Sequence, residues 1–201
     1  DAVWDGLAGG DGARARRRVR GGGSPVQRTL MQTALEILDG EMAAAGPGER
    51  LEAIVPEICN SVDAARAAIS FQPVGTDLIT TQWVVNLRAG RTWSKTPGES
   101  GDDYDANDYP QTARILSHGG SFVVRVADTD GDAGERELVA SFGMAAVLAA
   151  AGPGEGRSWL VEVYVDGTPS ALEEAESTVR LLVAEAVRRR KGLQRVRSAV
   201  A

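Results

Sequence analysis

Hydrophobic and polar positions divide the chain into segments of two different periods. Ser24-Pro25 reads as a helix start, with serine as the cap and proline at the first helical position. Leu30, Ala34, Ile37, Leu38 and Met42 follow at helical spacing, up to a stop at Gly46-Pro47-Gly48. A second stripe runs through Leu51, Ile54, Val55, Ile58 and Val62, with Pro56 inside it. Proline within a helix kinks it or marks its first turn. The period then changes. Residues 67–73 and 78–87 are rich in β-branched and aromatic side chains and are joined through Gly75-Thr76-Asp77, a hairpin signal. A polar loop follows over 96–107.

The second half alternates short elements. Residues 109–117 predict a helix ended by Gly119-Gly120, and 122–126 a strand. Asp128 to Gly134 reads as a turn, and 135–142 as a short helix closed by Gly143. Residues 144–150 and 159–165 predict two strands around the turn Gly152-Pro153-Gly154-Glu155-Gly156, hence an antiparallel pair. A long amphipathic helix over 172–190 carries Val179, Leu182, Val183, Ala186 and Val187 on one side. Hairpins at both ends of the strand set predict an α+β fold, an antiparallel central sheet with flanking helices, and not a doubly wound parallel sheet. The expected organisation is a flexible Gly/Arg-rich linker over 1–23, one domain over 24–190 and a basic tail over 191–201.

Composition narrows the function. The 201 residues are 43% hydrophobic and 25% charged, as in an ordinary soluble domain. The longest apolar run, Met144 to Ala151, falls far short of the roughly 20 residues of a membrane helix, so no membrane partner is expected. Residues 1–23 hold no apolar leader core, and the chain opens on Asp1, as a fragment of a longer protein would. The net charge of −6 is unevenly spread: residues 1–23 carry +2, residues 188–201 carry +6, and the body between them carries −14. An acidic body argues against nucleic acid as a partner, since phosphate contacts need a basic surface. The basic end reads as a solvated helix terminus.

One cysteine, Cys59, excludes an intrachain disulfide and suggests a cytoplasmic protein; with one histidine, His118, it cannot close a zinc site. Cys59 reads as core packing, because no basic neighbour is there to activate its thiol. His118, in Ser117-His118-Gly119-Gly120, reads as a cap on the preceding helix. No phosphate loop, nucleophile elbow or His-Glu-x-x-His occurs, so no enzyme is expected. Two acidic clusters, Asp102–Asp108 and Asp128–Asp132, offer oxygen ligands. A calcium loop needs Gly at position six and Glu at position twelve. Those places hold Asp108 and Arg114 counted from Asp103, and Ala133 and Val139 counted from Asp128. Both clusters therefore read as solvated loops.

The tryptophans leave two readings open. Trp83 lies inside a strand, Trp93 just past it, and Trp159 opens another. They pack a core or an interface, or, facing a loop with Tyr104 and Tyr109, they line a small-molecule pocket.

The run Tyr109-Pro110-Gln111-Thr112-Ala113-Arg114-Ile115-Leu116, then Phe122-Val123-Val124, Asp128, Glu135-Arg136-Glu137-Leu138 and Phe142-Gly143-Met144, resembles the central part of a GAF domain. The resemblance spans about residues 28–190 and rests on the order of elements. In that family a short helix precedes an apolar strand, an acidic turn and a short helix follow, and the penultimate strand comes next. Residues 144–150 resemble that strand, 159–164 the last one, and 170–190 the closing helix. Ala146-Val147 stand where the family often carries Pro-Leu. The Asn-Lys-Phe-Asp-Glu set of cyclic-nucleotide binders is missing, Cys59 is not placed as the bilin-linking cysteine, and the sulfoxide-reducing members need more than one cysteine.

What the resemblance implies is a small-molecule-sensing and dimerising module of a bacterial signalling protein. Trp83, Trp93, Tyr104, Tyr109 and Phe122 are its expected ligand-binding residues, the ligand and any cofactor are unknown, and the first and last helices form a homodimer. The alternative is a ligand-free interaction module whose pocket is filled by Trp83, Trp93 and Tyr109.

Overall fold

Ser24 opens the first helix by the expected chemistry. Its hydroxyl accepts from the Gln27 backbone N–H at 3.3 Å, and the Gln27 side chain accepts from the Ser24 N–H at 2.9 Å, a reciprocal cap. The computed structural model describes residues 24–86 and 103–189; the expected linker over 1–23, the tail over 191–201 and Trp93 lie outside the described residues. Helix α1 spans Pro25–Asp39 and stops at Gly40, short of the Pro-Gly stop read from the sequence. Pro47 instead starts α2 (Pro47–Val62), where the amide it lacks would have had no helical partner anyway. Pro56 lies inside α2, and Asp63 closes the helix in a left-handed conformation, φ 53°.

Two strands follow, β1 (Arg66–Pro73) and β2 (Leu78–Asn86). The turn between them places Gly75 at φ +82°, which a side chain rarely adopts. A short strand, β3 (Asp103–Asp105), and one 3-10 turn over Ala106–Asp108 occupy the end of the predicted polar loop. Then come α3 (Pro110–His118), β4 (Gly120–Arg125), α4 (Ala133–Ser141), β5 (Ala146–Pro153), β6 (Arg157–Val165) and α5 (Ser170–Arg188). Among the described residues six strands form one sheet in the order β3-β2-β1-β6-β5-β4, every neighbouring pair antiparallel. β5 and β6 pair as predicted, with Ala146 opposite Val165 and Ala150 opposite Val161.

The sheet carries a core on each face. On one side α1, α2 and α5 cover Ala67, Ile69, Trp83, Leu148, Trp159, Val161 and Val163. Small residues let α5 lie close: a Cβ added at Gly152 would meet Val187 at 3.2 Å. On the other side α3 and α4 pack on Phe122, Val124, Val147, Ala149, Leu160 and Tyr164. Among the described residues no helix is long and apolar enough to cross a membrane.

The acids have local work. Asp105 accepts from the Asn107 N–H at 2.8 Å, Asp103 from the Thr80 hydroxyl at 2.6 Å, and Asp132 caps α4 through the Glu135 N–H. His118 Nδ1 lies 3.1 Å from the Arg114 carbonyl at the exposed end of α3, as a cap would.

Candidate functional site

The cavity lies on the sheet face opposite α1, α2 and α5. It encloses about 280 Å³ and is lined by Arg66 and Ala68 of β1, Thr81 and Val84 of β2, and Glu162 and Tyr164 of β6. Tyr104, Tyr109, and Leu138 and Phe142 at α4 close it from the other side. Alternation along β1 and β6 explains four of these positions, because every second residue shares a face.

β2 needs a further device. Ser70 pairs with Thr81 while Ile69 pairs with Trp83, so Gln82 is an extra residue in the strand, a β-bulge. Gln82 turns to the helix side and donates to the Glu52 carboxylate of α2 at 3.1 Å. Without the bulge Thr81 and Val84, three apart, would face opposite ways; with it both line the cavity.

Glu162 is a buried carboxyl of the floor, 7% exposed, beside the buried Arg66 and Thr81. Its Oε1 accepts from the Tyr164 hydroxyl at 3.0 Å. Burial raises its pKa to about 7; the Tyr164 hydrogen bond and the charge of Arg66 pull the other way, and Glu135 adds to the rise. Arg66 stacks over the Phe142 ring at 4.3 Å and donates to Asn86 Oδ1 at 3.2 Å. Phe142 and Tyr164 meet edge to face at 5.5 Å, and so do Tyr104 and Tyr109 at 5.6 Å. Burial, with the nearby Glu162 charge, pushes the Tyr104 phenol well above its ordinary value, while Ser70 hydrogen-bonds to it and partly offsets this.

A second buried carboxyl holds the cover in place. Glu135 of α4 accepts from the Thr112 N–H at 3.2 Å and the Thr112 hydroxyl at 2.7 Å, so it caps the first turn of α3 from a neighbouring helix. Burial raises its pKa, against those two bonds. This bridge fixes α4, with Leu138 and Phe142, relative to Tyr109.

Of the expected ligand residues, the structure brings Tyr104 and Tyr109 together at the cavity. Trp83 points to the other face, 6% exposed beneath the helices, because the bulge and the strand's alternation turn it there. Phe122 is on the cavity side but belongs to the packed core around Val124 and Tyr164 and does not line the opening. Trp159 is also on the helix side, against Phe71 at 5.7 Å. Glu162, Arg66 and Tyr164 escaped the sequence reading. The usable signal was a single charge, Glu162, inside the otherwise uncharged run Trp159–Val165. Cys59 is buried in α2 on the helix side, where desolvation raises its pKa.

No protein-family model matches the sequence, and no curated protein matches it. Solved structures do. The phycocyanobilin-bound GAF domain of a cyanobacterial phytochrome is 14% identical, with a TM-score of 0.58 over 80% of this chain and 93% of that one. The chromophore-binding domain of Stigmatella aurantiaca phytochrome P1 is 16% identical, TM-score 0.57, over 78% of this chain and 57% of that one. The GAF domain of A. aeolicus nlh2 in an inactive state is 11% identical, TM-score 0.52, over 80% and 94%. At these identities the likeness is one of fold.

Proposed function

We propose that this chain, which has the GAF-domain fold, is a small-molecule-sensing module that works by binding and not by catalysis. The observation that carries the reading is the cavity between the sheet and α4, walled by aromatic rings and floored by the buried Glu162. A concave pocket with a few convergent polar groups and a perturbed carboxyl is what a ligand site requires. Trp83, on the other face, leaves that space open, which favours sensing over a module with a filled pocket. Two of the similar structures are described as bilin-bound GAF domains. In this chain the sole cysteine is across the sheet from the cavity, so attachment here is non-covalent.

Binding acts through differential affinity for two arrangements of the cover. A ligand touching both the sheet and α4 favours the arrangement in which Leu138 and Phe142 close on it. The strands beneath carry α5 on their far side, where the homodimer contact is placed by this reading.

Native mass spectrometry of the full chain, purified from its own host, tests the proposal. The expected result is a bound small molecule on the wild type that Leu138→Trp loses, because indole overfills the cavity. A wild type that carries nothing, and whose melting temperature no metabolite panel raises, would sink the reading.

A further inference from the structure

The cavity's ligand is narrowed by what its own walls have left to offer. At about 280 Å³ it is at the small end of ligand pockets, which run from roughly 300 to 1,000 Å³. Ala68, Val84 and Leu138 together with the rings of Tyr109, Phe142 and Tyr164 suit a flat apolar body. Among the described residues two charged side chains reach the space, Arg66 and Glu162. Arg66 has its guanidinium over Phe142 and gives one N–H to Asn86. Glu162 receives one hydrogen bond, from Tyr164 on Oε1. A carboxylate offers about four lone-pair sites and donates none. Its remaining capacity, buried and lining the cavity, calls for donors.

Resting on the reading of this cavity as the ligand site, we infer that its ligand is a compact planar molecule presenting N–H donors, neutral or cationic, to the Glu162 carboxylate, and not an anion drawn by Arg66.

Binding is then coupled to a proton. The groups facing Glu162 are Arg66 from β1, Tyr104 from β3, Tyr109 before α3, Glu135 from α4 and Tyr164 from β6. The tyrosines stay protonated through neutral pH, because burial raises all three. His118, at the exposed end of α3, does not line the cavity. Glu162, with its pKa at about 7, is the group that changes charge there, and a donor ligand selects its ionised form.

The test uses the full chain and three single-ring probes: benzamidine, benzamide and benzoate, titrated calorimetrically at pH 6 and pH 8. Benzamidine and benzoate keep their own charge over that range. Benzamidine is expected to bind best, roughly tenfold tighter at pH 8 than at pH 6. Glu162→Gln should cost roughly tenfold or more at pH 8 and remove the pH dependence, as loss of a charge-assisted hydrogen bond would. Benzoate binding as tightly as benzamidine, or benzamidine binding that neither pH nor the substitution moves, overturns the ligand class and leaves the cavity a ligand site. If no probe binds, the class falls; if the native-mass test also finds nothing, the cavity reading falls with it. Should Glu162→Gln not fold, the wild-type pH ratio and the benzamidine-to-benzoate ratio decide.

Discussion

A carboxyl group in a strand reading Trp-Leu-Val-Glu-Val-Tyr-Val has to be desolvated when that strand enters the middle of a sheet. Glu162 meets this cost by holding its proton to about pH 7. Between the ordinary carboxyl value, 4.5, and about 7, the folded protein therefore keeps a proton that the unfolded chain has released. Stability falls wherever the native state binds more protons as pH rises. The Glu162 contribution is fully present below pH 4.5 and is lost as pH passes through about 7. A shift of this size corresponds to roughly 3 kcal/mol. Urea unfolding at pH 5, 6, 7 and 8 is expected to show the wild type losing stability relative to Glu162→Gln by up to that amount. A constant difference between the two proteins would show that Glu162 does not titrate in this window. Glu135, raised in the same direction by burial, acts with the same sign in both proteins.

Among the elements, the contact between α2 and the sheet is set by one missing side chain. A Cβ at Gly48 would stand 2.8 Å from Trp159 Cη2 and 2.9 Å from Gln82 Nε2. The amide can swing aside, but the indole is packed beneath the helices, with Phe71 beside it. Gly48→Ala must push α2 off β6 or tilt the ring, at about 1–3 kcal/mol. Gly167, where an added Cβ would meet no heavy atom within 4 Å, is the matched control. Chemical denaturation should show a clear loss for Gly48→Ala and near-wild-type stability for Gly167→Ala. The same region explains the site, since Gln82, the extra residue of the bulge, lies against Gly48 while Thr81 and Val84 face the cavity.

At the scale of the molecule, the helix layer uses most of its apolar surface internally. Leu30, Ala34 and Leu38 of α1, and Val179, Leu182, Val183 and Val187 of α5, are buried within one protomer. Outward on α1 and α5 lie Val26, 56% exposed, Leu181, 55% exposed, and the half-buried Met31 and Leu35 beside a shallow groove. The proposed homodimer would be a twofold contact through this strip, since one self-complementary patch serves both copies. Leu181→Glu is expected to leave protomer stability within about 0.5 kcal/mol and to raise the dimer dissociation constant roughly tenfold or more. Sedimentation velocity checks both species; a wild type that is monomeric at tens of micromolar, a roughly typical working range, would remove the dimer.

The order of elements was legible along the chain because its signals are local. A Ser-Pro cap, glycine stops and the change from a helical to a strand period each act within a few residues, and they gave the α+β class and the β5–β6 pairing. Tyr104 and Tyr109 were legible as candidates because an aromatic pair in a polar loop stands out. Face and register were decided by tertiary structure. In β6 both faces are covered, so apolar residues occupy nearly every position and alternation carries no sign of which side is which. In β2 the bulge at Gln82 shifts the pattern by one residue, and this placed Trp83 beneath the helices instead of at the cavity. Arg66 and Glu162 are far apart in sequence and share a site because β1 lies beside β6. Long-range pairing of that kind is fixed by burial of the whole sheet between two layers, and no local property of either strand encodes it.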